Sequence, residues 1–202
     1  AGTPVAMWAI AQNYFSTTEP MEKEKLVLVG NGMAGMRTLE ELLKTAPDMY
    51  DITVFGSEPY GNYNRILLSP VLAGEKAFPD ILLNDEPWYE TNGIKLHKNC
   101  EVTEINRRAR KVVARDGTTA EYDRLLLATG SHPFIIPVPG STLPGVITFR
   151  DMNDVDTMIS ASKSLRHAVV IGGGLLGLEA ANGLKQRGMH VTVVHLSRTL
   201  MD

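Results

Sequence analysis

The stretch "KLVLVGNGMAGMRTLEELL", residues 25–43, decides the fold. An apolar run of strand length leads into Gly30-x-Gly32-x-x-Gly35, and apolar residues at helical spacing follow. A second apolar strand, "DITVFGSE" at 51–58, completes a βαβ unit. The glycines have separate tasks: Gly30 turns the chain off the strand, Gly32 lets backbone approach a pyrophosphate, and Gly35 lets the helix pack closely on the strand. The helix that follows then directs free N–H groups and a positive dipole end at the phosphates.

The pattern recurs. "HAVVIGGGLLGLEAANGLK" (167–185) and "HVTVVHLS" (190–197) repeat strand, G-x-G-x-x-G, helix and strand, with Gly172, Gly174 and Gly177 in the three roles. A lone motif is weak evidence, because glycines also occur in ordinary turns. Both copies here have the required strand before and helix after.

The segment between them exceeds the needs of one mononucleotide fold. Strands are expected at Ile94–His97 and Glu101–Asn106, then a hairpin turning at "RDGT" (115–118), then a buried main-sheet strand in "YDRLLLATG" (122–130). This describes a β-meander inserted before the last strand of the first domain. "RDMNDVDTMISASKSL" (150–165) follows as a linking helix, with Asp151 as N-cap. The expected fold is α/β: a Rossmann-like domain at 25–150, a parallel sheet with an inserted meander, followed at 151–202 by a linker helix and the first βαβ unit of a second Rossmann-like domain.

Composition narrows the function. The chain has 202 residues, 44% of them hydrophobic, and a formal net charge of −3. Its basic residues are scattered apart from "RRARK" (107–111), which reads as a solvated hairpin edge, so no face is built to displace counterions from nucleic acid. Cys100 is the single cysteine. That excludes an internal disulfide, a cysteine metal cluster and a dithiol redox pair, and it suits a reducing compartment. "AMWAIA" (6–11) is too short, and lacks the basic flank, for a signal peptide. A cytoplasmic protein is expected. Residues 1–24 show neither period and read as a disordered or non-native leader, with Met21 as the natural start.

The two motifs, with the A-T-G of "LLLATGSHPFIIP" between them, resemble the two-dinucleotide-binding flavoprotein reductases related to glutathione reductase. Within them, "GNGMAGMRTLEELL", "ITVFGSEPYGNYNRILLSPVLAGE" and "VTVVHLSRTLM" are similar to the amino-terminal part of the large subunit of assimilatory NAD(P)H-dependent nitrite reductases. The resemblance runs from Lys25 to Asp202. It implies an FAD site at the first motif and an NADH or NADPH site at the second. It also implies a chain cut inside its second nucleotide domain, with the iron–sulfur and sirohaem region where nitrite becomes ammonia lying further on in the relatives.

The resemblance assigns roles residue by residue. The acid that relatives place on the FAD ribose should close the second strand, but Gly56 and Ser57 stand there. Glu58 is the candidate, against the reading of a solvated loop carboxylate. Arg65 matches an arginine near the FAD phosphates, where its fork of donors suits an anion. Pro70 follows Ser69, so a lysine that some relatives carry here has no counterpart. Thr129 and Gly130 match the A-T-G motif, and Val102 either offers backbone groups to the adenine or is core. Glu179 matches a glutamate near the nicotinamide. His195 stands where NAD-preferring enzymes carry an acid, and Arg198 lies three residues on. Loss of that acid removes repulsion toward a 2′-phosphate, and the choice between NADH and NADPH stays open.

The lone Cys100 argues against the disulfide-reducing branch, whose chemistry needs a vicinal pair. The histidines show no metal-ligand spacing, and no Ser/His/Asp arrangement is evident. The implied activity is an FAD-dependent NAD(P)H oxidoreductase passing electrons to an acceptor domain or carrier, with the cofactors performing the hard chemistry. The alternatives are an NAD(P)H-dependent rubredoxin, ferredoxin or nitric oxide reductase flavoprotein, and a non-catalytic dinucleotide-binding redox sensor.

Overall fold

The computed structural model describes residues 22–201. Met21 and the expected leader up to that point lie outside the described residues. The first unit is β1 (Glu24–Val29), α1 (Met33–Thr45) and β2 (Tyr50–Phe55). β1 begins within the expected leader, because Glu24 pairs with Tyr50 across the sheet and its carboxylate meets Arg124 at 3.2 Å.

A short antiparallel ribbon, β3 (Asn62–Tyr63) with β4 (Leu82–Asn84), brackets a 3-10 turn at Arg65–Leu67 and the helix α2 (Leu68–Ala73). α3 (Glu86–Thr91) leads into β5 (Lys95–His97). Then come β6 (Val102–Asn106), β7 (Lys111–Ala114) and β8 (Thr119–Glu121), the expected meander, followed by β9 (Arg124–Leu127). The linking helix α4 (Met152–Ser162) starts at Asp151, whose Oδ1 accepts the Asp154 N–H at 3.0 Å. β10 (His167–Ile171), α5 (Leu175–Gln186) and β11 (His190–Val194) form the second βαβ unit.

The main sheet is parallel, in the order β5-β2-β1-β9. Two expectations are corrected. The strand near Ile94–His97 belongs to the main sheet and not to the meander, and β9 is an edge strand with Leu127 56% exposed.

Alternation along β1 sorts its side chains to two faces. Leu26 and Leu28 pack with Met36 and Leu39 of α1, Ile52 and Val54 of β2, and Tyr89 of α3. Val27 and Val29 pack with Phe55, Cys100, Val112 and Ala114 beneath the meander. Each buried Val, Leu, Ile, Met or Phe among them contributes about 1.5–3 kcal/mol by leaving water. A third core joins the helices: Leu68, Val71 and Leu72 of α2 meet Met152, Val155 and Met158 of α4 and Ala180 and Leu184 of α5. The second βαβ unit therefore rests, through α5, on the helix that follows Arg65. On β10, Ala168 and Val170 pack against that core, while Val169 and Ile171 are exposed.

Candidate nucleotide-binding sites

The two glycine-rich loops have the same geometry. Gly30 has φ of 109° and Gly172 has 117°, values that L side chains rarely adopt. The Gly30 N–H donates to the Phe55 carbonyl at 2.9 Å, and the Gly172 N–H to the Val194 carbonyl at 2.8 Å, so each loop is tied to its second strand. A Cβ on Gly35 would lie 3.0 Å from the Gly30 carbonyl oxygen, and one on Gly177 2.0 Å from that of Gly172. These contacts hold each helix against its loop. Gly32 and Gly174 differ: a Cβ there would meet nothing within 4 Å. Both are N-caps, of α1 and α5, and neither helix has a side-chain cap or an acidic first turn. The first N–H groups of two long helices thus face open space without side-chain acceptors. An anion of pyrophosphate dimensions fits such a cradle.

The repeats also fill one equivalent space in opposite ways. Asn31, in the middle of the first loop, opposes Gly56 just after β2, where a Cβ would lie 2.9 Å from the Asn31 Cβ. In the second repeat the loop residue is Gly173 and the residue after β11 is His195, whose Cγ would lie 2.8 Å from a Cβ on Gly173. In the second repeat the Leu200 side chain shares the space, its Cδ2 2.5 Å from the same Cβ position. No acid stands directly after "DITVF" because Asn31 occupies the space in the first. The Asn31 side chain donates to the Tyr60 carbonyl at 3.3 Å and accepts the Tyr89 hydroxyl at 2.8 Å, fixing the loop.

Beside the first loop lies a cleft of about 310 Å³, whose lining includes Gly30, Gly32, Glu58, Arg65, Thr129 and Gly130. Glu58 is not a solvated loop carboxylate. It pairs with the Arg65 guanidinium and accepts the Tyr63 hydroxyl at 2.6 Å, with its side chain 16% exposed. Burial, then the bond to Glu58, pushes the Tyr63 phenol far above its ordinary range. Arg65 also lies 5.0 Å over the Tyr63 ring and donates to the Arg150 carbonyl at 3.4 Å. Val102 is not among the lining residues: half-buried at the start of β6, it packs with Val27 and Cys100.

Three contributors escape sequence reading. Tyr63 and Arg150 line the cleft, and Arg150 donates to the Ser131 carbonyl and hydroxyl at 3.3 and 3.1 Å, holding the segment after Gly130. Asn31 anchors the loop as described. The Arg of "FRD" one residue before the helix cap was the available signal for Arg150; Tyr63 and Asn31 carry none.

At the second loop, His195 Nδ1 accepts the Gly173 N–H at 3.0 Å and the Met201 N–H donates to the Gly173 carbonyl at 3.0 Å. His195 and Met201 therefore lie against this loop, and Arg198 is exposed. Glu179 accepts the Ser69 hydroxyl at 2.5 Å. This bond joins the residue two places beyond Gly177 to one four places beyond Arg65, so the structure brings the two halves of the predicted site into contact.

Among the described residues, no group of three or more His, Cys, Asp or Glu side chains could hold a metal ion, and no helix is long and apolar enough to cross a membrane. Cys100 is buried and free, and burial raises its thiol pKa.

Two βαβ units in tandem, each with an open, uncapped glycine turn, define a doubled Rossmann-type nucleotide-binding protein. The chain belongs to the pyridine nucleotide-disulphide oxidoreductase family, which residues 24–202 match. It is 54% identical to the nitrite reductase [NAD(P)H] of Bacillus subtilis (strain 168), over 90% of this chain and 23% of that one. It is 48% identical to an assimilatory nitrate reductase electron transfer subunit of the same organism, over 90% of this chain and 24% of that one. Among solved structures, NADH:rubredoxin oxidoreductase from Clostridium acetobutylicum superposes with a TM-score of 0.77 at 29% identity, covering 86% of this chain and 45% of that one. The chain thus spans about a quarter of the length of these curated relatives.

Proposed function

We propose that this chain is the NAD(P)H-to-flavin electron-entry part of an assimilatory nitrite reductase. In this reading residues 25–150 bind FAD, residues 151–202 begin the NAD(P)H-binding domain, and electrons leave to an acceptor domain or carrier outside the chain. The observation that carries the reading is the pair of matching, uncapped loops at Gly30–Gly35 and Gly172–Gly177. The similarity to nitrite reductase supports the choice of acceptor.

When bound, the two nucleotides supply hydride chemistry that no side chain of the chain needs to perform. The residues bind and orient. The N–H groups at the starts of α1 and α5 would receive the two pyrophosphates. Arg65, held by Glu58 and the Tyr63 ring, presents its remaining donors to the cleft. Thr129 and Gly130 close the cleft where Arg150 holds the strand exit. Glu179 stands at the second loop with its carboxylate fixed by Ser69, and His195 and Arg198 would hold the ribose end of NADH or NADPH. With one cysteine, the protein suits the cytoplasm.

A small electron carrier is the second reading of the acceptor, favoured by the likeness to NADH:rubredoxin oxidoreductase. Anaerobic reduction of the flavin-loaded full-length protein by NADH or NADPH, followed by nitrite or by rubredoxin, decides between them: reoxidation by nitrite is expected. Reoxidation by the carrier alone would transfer the assignment to the second reading.

A further inference from the structure

The two loops are held at a fixed separation by a contact that neither nucleotide site explains. α5 lies along α2 and is fastened to it at both ends. Near its start, Glu179 accepts the Ser69 hydroxyl at 2.5 Å from the first turn of α2. At its far end, Arg187 donates from Nε to the Leu72 carbonyl at 2.7 Å and from Nη2 to the Val71 carbonyl at 3.1 Å. Both carbonyls belong to the last turn of α2, where that of Val71 also accepts the Gly74 N–H at 3.0 Å, and a cation there meets the negative end of the helix dipole. Between the fastenings Gly183 brings the helix backbones together: a Cβ on it would lie 2.7 Å from the Leu72 Cγ. Gly74, which ends α2 with φ of 82°, leaves room for the Arg187 guanidinium, whose Nη2 lies 3.4 Å from the position of a Cβ there.

α2 follows directly on the Arg65–Leu67 turn, and α5 starts at the Gly174 cap. The α2–α5 contact therefore transmits the placement of the first site to the second. Resting on the electron-entry reading above, we propose that Arg187 is a positioning residue for transfer between the nucleotides. By clamping α5 to the end of α2 it sets the distance and tilt of the second glycine loop relative to the first cleft, with Ser69 and Glu179 as the near fastening. Arg187 touches neither nucleotide loop; it acts through the helix that carries one.

Transfer between two bound rings is steep in their separation. A misplacement of about 1 Å is enough to lower a rate on the order of a hundredfold without removing any binding group. The test uses the full-length protein loaded with FAD, with Arg187→Ala and Arg187→Lys beside the parent. Stopped-flow gives the limiting rate of flavin reduction and the NAD(P)H concentration that half-saturates it. The long-wavelength absorbance of stacked nicotinamide and flavin rings gives the geometry independently of rate. Arg187→Ala is expected to lower the limiting rate about tenfold to a hundredfold and to weaken the long-wavelength band. FAD content and half-saturating concentration should change little, and Arg187→Lys should recover part of both signals. A limiting rate and band equal to the parent's at equal FAD content would overturn the proposal. If Arg187→Ala does not retain FAD, Arg187→Lys and Ser69→Ala are read by the same two signals and the same criterion. Failure of the parent itself to be reduced by either nucleotide would overturn the electron-entry reading and this proposal with it, whereas a parent that is reduced and variants indistinguishable from it would overturn only the clamp.

Discussion

Gly32→Ala separates the fold from the binding site. Gly32 has φ of −93° and ψ of 174°, extended backbone open to any residue, and a Cβ there meets no atom within 4 Å. The flavin-free protein therefore has no steric reason to lose stability. Alanine is a poorer N-cap than glycine but restricts the unfolded chain more, so the net change should stay within about 1 kcal/mol. The added methyl nevertheless occupies the approach to the uncapped N–H groups of α1. Losing one charge-assisted hydrogen bond of about 1.5–3 kcal/mol corresponds to roughly a tenfold to hundredfold weaker FAD complex. Gly30→Ala is the opposite case. With φ of 109° and a Cβ placed 2.2 Å from the Ala128 carbonyl oxygen, it must strain the backbone or displace the end of β9. The dihedral alone costs about 1–3 kcal/mol, and at about 2–4 °C per kcal/mol the melting temperature should fall by roughly 2–12 °C. Thermal melting without flavin and calorimetric titration with FAD read the two effects separately. A Gly32→Ala variant that binds FAD as tightly as the parent would refute the phosphate-cradle reasoning.

Burial raises the phenols of Tyr60, Tyr63 and Tyr89 above their ordinary range. The unfolded chain therefore releases these protons first, and their contribution to stability, complete below about pH 10, is lost as pH rises beyond it. Urea midpoints should fall with pH in that alkaline range, less steeply for Tyr63→Phe; identical slopes would contradict the assignment. The Tyr89 hydroxyl donates to Asn31 Oδ1 at 2.8 Å and accepts the Asn62 N–H at 3.2 Å. Tyr89→Phe should therefore cost about 1–3 kcal/mol in denaturant unfolding, and a variant as stable as the parent would remove this network from the account. Cys100 is 4% exposed with its thiol pKa raised by burial, so a thiol reagent should label it only on unfolding. Equal labelling rates for native and unfolded protein would show that the cysteine is accessible.

Legibility in the sequence followed locality. Both βαβ units could be read because each glycine answers a local demand, a turn, a close approach or a packed helix, that few other residues meet. The Asp151 cap was readable for the same reason, since the accepting side chain lies three residues from its donor. Residues whose roles come from contacts across the fold were not. Glu58 read as ribose ligand or solvated loop, yet its partners Arg65 and Tyr63 lie across a turn that nothing in the local pattern specifies. Val102 read either as a backbone contact to the adenine or as core, and its side chain packs against the cluster beneath the meander. β5 read as a strand, while its sheet depended on pairing with β2, forty residues away in the chain. The Arg187 contacts join residues more than a hundred positions apart, and no periodicity reports that.

The most direct test of the central claim, two dinucleotide sites coupled for electron transfer, is the visible spectrum of the full-length protein reconstituted with FAD and titrated anaerobically with NADH and with NADPH. The account predicts a retained flavin band that survives removal of free FAD and bleaches with one of the two nucleotides. A protein that retains no flavin, or whose bound flavin neither nucleotide reduces, would contradict it.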